Sequence, residues 1–288
     1  MKIVVTGGSG FVGAATLREL DRMGYKTCNY DVSVGCDILD LGCLLSVIQD
    51  GDIVLHEAAI ARFADADRDP KLAYRVNVMG TDNVVRACNY NNAGRLVYAS
   101  TGSVYMPIDR EMPITEDFKV SGNSIYACAK RTAESIIEQD CTIPWVVLRY
   151  AHLYGEGKIG HGAIGGFIAK MDKKEPPLLF GGDQTNDFTY VTDITQANMK
   201  ALFCQNEALN QAYNIGTGCE ISTEGVFDVL ADYFDYRTPY EKKPVRSVDP
   251  PRFVFDVTKA QKLLGYEPQF TFEQGIRDWF ERIRGGRR

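Results

Sequence analysis

Tyr126 and Lys130 stand one helical turn apart in the stretch SIYACAKRTAE, residues 124–134, so a helix would place both side chains on one face. A free phenol, with a pKa of about 10, is a poor base at neutral pH, but an ammonium group beside it and a cationic ring in front of it would favour the phenolate. Such a pair could move a proton to or from a hydroxyl group. The same spacing also arises where a core tyrosine neighbours a surface lysine, and the pair by itself favours that structural reading, so the rest of the chain must decide. Upstream, YASTGSVY at 98–105 offers the Thr101 hydroxyl as donor and acceptor, flanked by Ser100 and Ser103. For the two serines, capping of backbone groups at a strand end is the simpler role.

A second set of residues points to a dinucleotide. VVTGGSGFVGAATLREL at 4–20 carries Gly7, Gly10 and Gly13 directly after a strand-like run and at the opening of a helical one. Glycine is needed there three times over, for the tight turn, for close backbone approach to a pyrophosphate, and for close packing of helix on strand. Free N–H groups and the helix dipole then hold a diphosphate without a lysine. Asp31 follows at the end of the next strand-like run. A carboxylate there accepts bonds from the adenosine ribose and repels a 2′-phosphate, which selects NAD over NADP.

These residues need elements to hold them. The runs KIVVT from Lys2, KTCNYD from Lys26, DIVLH from Asp52, RLVYAS from Arg95 and WVVLRY from Trp145 are short and apolar, with helical segments between them. Buried strands alternating with helical crossovers imply an α/β fold with a doubly wound parallel sheet of Rossmann type. The helix over 12–23 is expected to bury Val12, Thr16, Leu20 and Met23 along one side. After Arg149 the chain turns Gly- and Pro-rich, which suggests a smaller substrate-binding lobe. The expected organisation is a dinucleotide domain over 1–150, completed by about 186–206, and a lobe from 151–185 and 207–288. DFTYVTDITQANMKALF, from Asp187, reads as a strand and helix returning to the sheet.

At 288 residues with a net charge of −6, the chain can bury a full core and repels nucleic acid and anionic membranes. Its eight cysteines form no Cys-x-x-Cys pair and only three histidines accompany them, so reduced thiols and no metal site are expected. A strand-like run that begins at Lys2 leaves no room for a signal peptide, and no apolar run nears the roughly 18 residues of a membrane span. A cytoplasmic location is the expectation.

Taken in order, these motifs resemble the extended short-chain dehydrogenase/reductase superfamily, in particular its NAD-dependent nucleotide-sugar epimerases and dehydratases, over nearly the whole chain. The resemblance implies that Gly7, Gly10 and Gly13, with Phe11 and Val12 between them, form the cofactor turn, and that Asp37 and Ile38 of CDILD hold the adenine. HEAAI supplies His56, Ala58 and Ala59 along the cofactor, NVMGT supplies Asn77, and YAST supplies Ser100. Of these, His56 reads more simply as a packed structural histidine than as an acid or base. Tyr126 resembles the family's catalytic tyrosine, Lys130 the lysine that holds the nicotinamide ribose, and Thr101 the hydroxyl that binds the substrate oxygen.

The triplet Thr101-Gly102-Ser103 separates reactions within the family. Sugar 4,6-dehydratases follow the threonine with Asp-Glu, and UDP-glucuronate decarboxylases have a glutamate where this chain has Ser103. Without either acid, the resemblance implies a 4-epimerase of the UDP-glucose type, with a net sugar dehydrogenase or 4-keto-sugar reductase as the alternative. A non-catalytic dinucleotide-binding protein is a third reading, opposed by the intact Tyr126, Lys130 and Thr101.

The substrate side departs from the family pattern. His152 stands where an asparagine commonly meets the nucleotide diphosphate, and Asn186 where an arginine does. Arg252 or Lys158 are the candidate replacements for the missing guanidinium, and Met106 replaces a glycine at the rim. Ser103 and Tyr126 complete the expected substrate contacts. Helices near 70–92 and 124–139 match those that pair as a four-helix bundle in family homodimers.

Overall fold

The structure is a computed structural model that describes residues 1–106, 112–157, 162–245 and 250–285. Its strands are β1 (Ile3–Thr6), β2 (Thr27–Tyr30), β3 (Ile53–His56), β4 (Arg95–Thr101), β5 (Trp145–Tyr150), β6 (His152–Tyr154), β7 (Leu178–Phe180), β8 (Thr185–Asn186), β9 (Phe188–Tyr190), β10 (Gln211–Ile215), β11 (Ile221–Ser222), β12 (Glu241–Lys243) and β13 (Arg252–Phe253). The α-helices are α1 (Phe11–Arg22), α2 (Leu41–Val47), α3 (Phe63–Arg68), α4 (Pro70–Tyr74), α5 (Thr81–Tyr90), α6 (Ile125–Asp140), α7 (Gly162–Asp172), α8 (Val191–Leu202), α9 (Thr223–Tyr233), α10 (Thr258–Leu264) and α11 (Phe272–Gly285).

Six strands form one parallel sheet in the order β10-β5-β4-β3-β1-β2. The alternation within each strand sends residues to two cores. Ile3, Val5, Leu55, Val97 and Leu148 face α1, α8 and α10 on one side, while Val4, Val54, Leu96 and Val147 face α2, α5 and α6 on the other. Covered on both faces, the central strands β1 and β3 are buried along their length, which is why they read as continuous apolar runs, while the edge strand β2 is half-buried up to Tyr30. The strand order reverses direction between β1 and β3, and ligands of open α/β sheets bind in the crevice at that point.

Beyond the sheet, α7, α9 and α11 pack with Tyr154, Leu179 and Tyr190 into a separate apolar cluster beside short strand pairs β7–β12 and β6–β9 and the three-stranded β11-β8-β13. Three expectations are corrected here. Met23 is more than half exposed, because α1 ends at Arg22 and buries Leu17 with Val12, Thr16 and Leu20 instead. Phe188–Tyr190 pairs with His152–Tyr154 rather than joining the large sheet, although α8 after it does pack on α1. Gln211–Ile215, expected in the smaller lobe, forms the sixth strand of the sheet beside β5. The helix near 70–92 is two α-helices joined by a π-helical turn at Arg75–Gly80, which carries Asn77. Among the described residues, no helix is long and apolar enough to cross a membrane and no cluster of metal-ligating side chains occurs.

Candidate active site

The turn after β1 is packed backbone against backbone. Gly7 has φ of +68° and a Cβ there would lie 2.6 Å from the Ala58 nitrogen; one on Gly13 would lie 2.3 Å from the Gly7 carbonyl oxygen. Gly10 heads α1 with no side-chain cap, so the N–H groups of the first turn, including Phe11 and Val12, stay available to an anion. Side chains would fill this cradle, and their absence is what a dinucleotide's pyrophosphate requires. Ala58 and Ala59 follow β3, and the Ala58 backbone faces that turn.

Asp31 ends β2 and accepts bonds from the backbone N–H groups of Ser33 (2.8 Å) and Ser9 (3.3 Å). Partial burial opposes its ionisation, but these bonds outweigh it and hold the carboxyl below its ordinary pKa. A charged Asp31 therefore stands beside the glycine turn. Ile38 is buried in the core against Gly80, while Asp37 lies at the surface with its carbonyl bound by the Tyr30 hydroxyl at 2.9 Å. Asn77 spends its amide on Ile60, accepting from the backbone N–H at 2.8 Å and donating to the carbonyl at 3.1 Å, which pins the segment after Ala59. His56 is fully buried between Thr6 (2.7 Å from Nδ1) and Thr81 (2.9 Å from Nε2), and burial drives its pKa down to about 3. It is a neutral, packed histidine at ordinary pH.

Helix α6 is capped by Ser124, whose hydroxyl accepts from the Ala127 N–H at 3.1 Å. Tyr126, Lys130 and Glu134 follow at i, i+4 and i+8 and are all buried against the end of β4. Lys130 donates to the Ala99 carbonyl at 2.7 Å and lies over the Tyr98 ring, 4.6 Å from its centre. The Thr101 hydroxyl favours ionisation of the Tyr126 phenol, and the Tyr126 ring packs edge-to-face with Phe63. Tyrosine, lysine and threonine thus converge at the C-terminal end of the sheet.

Without a cofactor, burial decides the charge state of the pair. Burial pushes the Tyr126 phenol up to about 12, against the lowering effect of the Thr101 hydroxyl, and brings the Lys130 ammonium down to about 8. With Lys130 committed to the Ala99 carbonyl, its charge does not overcome the desolvation of the phenol. The ligand-free site therefore holds a neutral tyrosine. The serines differ from the sequence expectation: Thr101 caps the turn after β4 by accepting from the Ser103 N–H at 3.2 Å, and Ser100 donates to Glu134.

Glu134 leads to a network that sequence reasoning missed. Arg149 of β5 grips it through Nη2 (2.7 Å) and Nε (3.1 Å), and its Nη1 donates to the Tyr105 hydroxyl at 2.8 Å, which donates to Asn214 of β10 at 2.8 Å. The ion pair is almost completely buried. Its legible signal was Glu134 continuing the 126/130 stripe by one more turn. A second missed residue is Glu57, an acid directly after the buried run of β3, held by Tyr150 and Asn198 at 2.9 Å each.

The region of His152, Asn186 and Arg252 is more open. His152 is exposed and packs against Phe188 and Phe253. Asn186 and Arg252 lie on neighbouring strands β8 and β13, and Arg252 is paired with Glu220 at the surface. Lys158 lies outside the described residues. Gly102 is backed by aromatic rings: a Cβ there would lie 2.4 Å from Phe253 and 2.6 Å from Phe255. A separate groove of about 910 Å³ between α1, α8 and α11, lined by residues such as Arg18, Lys200 and Arg282, contains none of these residues.

A glycine cradle at the sheet's switch point, an acid at the end of β2 and a Tyr/Lys/Thr constellation at the end of β4 define an NAD-dependent enzyme of short-chain dehydrogenase/reductase type. Residues 3–216 match the NAD dependent epimerase/dehydratase family, and the chain belongs to that family. It is 27% identical over 308 residues to the UDP-glucose 4-epimerase of Mycolicibacterium smegmatis, covering 96% of each chain. In three dimensions it is similar to the UDP-glucose 4-epimerase of Thermotoga maritima solved with UDP-glucose, with a TM-score of 0.91, 27% identity and 100% of each chain covered. It is also similar to the UDP-glucuronic acid 4-epimerase of Bacillus cereus solved with UDP-glucuronic acid and NAD, with a TM-score of 0.87, 26% identity and 99% of each chain covered.

Proposed function

We propose that the protein is a nucleotide-sugar 4-epimerase of the UDP-glucose type. The observation that carries this reading is the wall at Gly102. In a dehydratase-like arrangement an acid follows the threonine, but here its Cβ alone would collide with Phe253 and Phe255, and Ser103 beyond it offers only a hydroxyl. Elimination and decarboxylation both lack their extra acid, which leaves proton transfer at the C4 oxygen coupled to hydride movement.

NAD, held by the glycine turn, Asp31 and Lys130, would supply the acceptor for the C4 hydride and the source of its return. The protein's own residues handle the proton and the orientation. Thr101 holds the C4 oxygen, and Tyr126 takes its proton and gives it back. Lys130 holds the cofactor ribose, and in releasing Ala99 it brings its charge toward the phenol, which shifts Tyr126 toward the phenolate. Gly7, Gly10 and Gly13 seat the pyrophosphate, and Asp31 selects the ribose that has no 2′-phosphate. His152, Asn186 and Arg252 lie on the side that meets the nucleotide diphosphate. The chain divides at that crevice into a dinucleotide domain and a smaller lobe that binds the sugar nucleotide. A homodimer through the α3–α5 and α6 surface agrees with the exposed Phe63, Leu72, Tyr74, Met79 and Tyr90 there.

Purified protein mixed with UDP-glucose, UDP-galactose and the UDP-uronic acids, with products read by NMR, tests the reading. The expected outcome is conversion over many turnovers without added NAD, with a deuterium label at C4 retained and no reduced nicotinamide accumulating with product. NADH formed in step with product would replace the epimerase by a net dehydrogenase.

A further inference from the structure

Glu57 sits where the two halves of the crevice meet. Its backbone N–H continues the β1–β3 ladder to the Thr6 carbonyl at 3.0 Å, and the next residue, Ala58, packs against Gly7. Its side chain points to the α1/α8 side of the sheet and meets Tyr150 of β5, the residue paired in register with Thr101, and Asn198 of α8. Asn198 in turn bonds Thr16 of α1 at 3.1 Å. The carboxyl thus lies between the glycine turn and the catalytic hydroxyl, along the path a dinucleotide must span.

Three polar contacts close a ring. Glu57 Oε1 is 2.9 Å from the Tyr150 hydroxyl, that hydroxyl is 2.6 Å from Asn198 Oδ1, and Asn198 Nδ2 is 2.9 Å from Glu57 Oε1. Each contact needs one hydrogen. Tyr150 owns one, and the amide contributes one, since only its nitrogen donates. Flipping the amide exchanges which contact it serves but adds none. The third hydrogen has to come from Glu57. With an ionised Glu57, two oxygens in a buried ring would face each other with no hydrogen between them, which is costly.

We propose that Glu57 is a carboxylic acid in the dinucleotide-free protein and releases its proton to solvent when the oxidised dinucleotide binds, so that the crevice exchanges one positive charge for another. Glu57 would then balance the cationic ring, and the protein would bind NAD⁺ in preference to NADH. The inference rests on the reading of Tyr126 and Lys130 as the wall of the nicotinamide site, not on which sugar is turned over.

The surroundings agree. Burial pushes the Glu57 carboxyl up, against the opposing bonds from Tyr150 and Asn198 and the charge of Lys130. Lys130 and Tyr126 from α6 and Tyr150 from β5 are the titratable groups that act on it, while α1 and α8 face it with the uncharged Thr16 and Asn198. In the dinucleotide-free protein Lys130 titrates near 8 and both tyrosines far higher, and a proton that the bound cofactor draws from the Tyr126 phenol is told apart from the carboxyl's by Tyr126→Phe.

Calorimetric titration of the dinucleotide-free protein with NAD⁺ and with NADH, in buffers of different ionisation heat at mildly acidic pH, counts the protons released. NAD⁺ should release close to one proton more than NADH, Tyr126→Phe should keep that difference, and Glu57→Gln should abolish it. In the unmodified protein the ratio of the NADH to the NAD⁺ dissociation constant should rise with pH, approaching about tenfold per pH unit where a full proton is exchanged. Repeated in Tyr126→Phe, which removes the phenol as a proton source, this second measurement decides the matter even if Glu57→Gln fails to fold. Equal proton release with both dinucleotides, a pH-independent ratio, or a difference that survives in Glu57→Gln would overturn the proposal. Failure of the epimerase reading would show separately, as no conversion of nucleotide sugars with the proton difference intact.

Discussion

The dinucleotide end of the crevice is made of backbone and of buried, paired side chains, whereas the end at His152 and Arg252 is made of exposed ones. At the first, Gly7 packs on the Ala58 backbone, Lys130 is bound to Ala99 and the Glu134–Arg149 pair is sealed from solvent. At the second, Arg252 is more than half exposed and paired with Glu220, and His152 lies at the surface. A buried charge that loses its partner has no water to turn to, while an exposed one does. On the proposed reading, the chemistry is fixed in the part of the molecule least able to change, and substrate preference is carried where substitution is cheap.

The sharpest test of that contrast removes the phenol alone. Tyr126→Phe should lower kcat by about 10²- to 10⁴-fold, the usual contribution of an acid/base group, while NAD binding and the unfolding midpoint stay near those of the parent. A variant that keeps more than about a tenth of the activity would remove Tyr126 from the role assigned to it.

Breaking the sealed pair comes next. Glu134→Leu leaves the Arg149 guanidinium buried without its carboxylate, and urea denaturation should show a loss of about 3–5 kcal/mol. Removing an exposed partner, as in Arg22→Ala, should leave the urea midpoint unchanged. Equal losses in the two variants would mean that the buried network is not what holds α6 to the sheet.

At the other end, Arg252→Ala should raise KM for the nucleotide sugar with little effect on kcat, NAD affinity or stability. A fall in kcat with KM unchanged would move Arg252 from substrate binding to the chemical step.

The smallest expected effect is a pH slope. Because burial lowers Lys130 from 10.5 to about 8, the unfolded chain binds more protons than the folded one between those values, and this residue makes the protein more stable as pH rises through that window. Lys130→Met abolishes the contribution, so the stability of the parent relative to the variant should increase from pH 8 to 10.5. A flat difference in urea titrations would show that Lys130 keeps its ordinary pKa, and a falling one that folding raises it.

How much was legible in the sequence follows from which interactions are local. The strands, the glycine turn, Asp31 and the 126/130 pair are set by spacing and residue type within one element or one turn, so the sequence by itself determined the doubly wound architecture and the cofactor end. The charge states were not local. That Tyr126 is neutral before the cofactor arrives follows from the burial of α6 against β4, and Lys130 answers to Ala99, a residue of another strand. The ring of Glu57, Tyr150 and Asn198 joins three elements far apart in the chain. The obstruction at Gly102 is supplied by Phe253 and Phe255 from the other end of the sequence. Hydrogen positions and desolvation depend on every neighbour at once, and those neighbours are chosen by the packing of the sheet, so only the tertiary structure decided them.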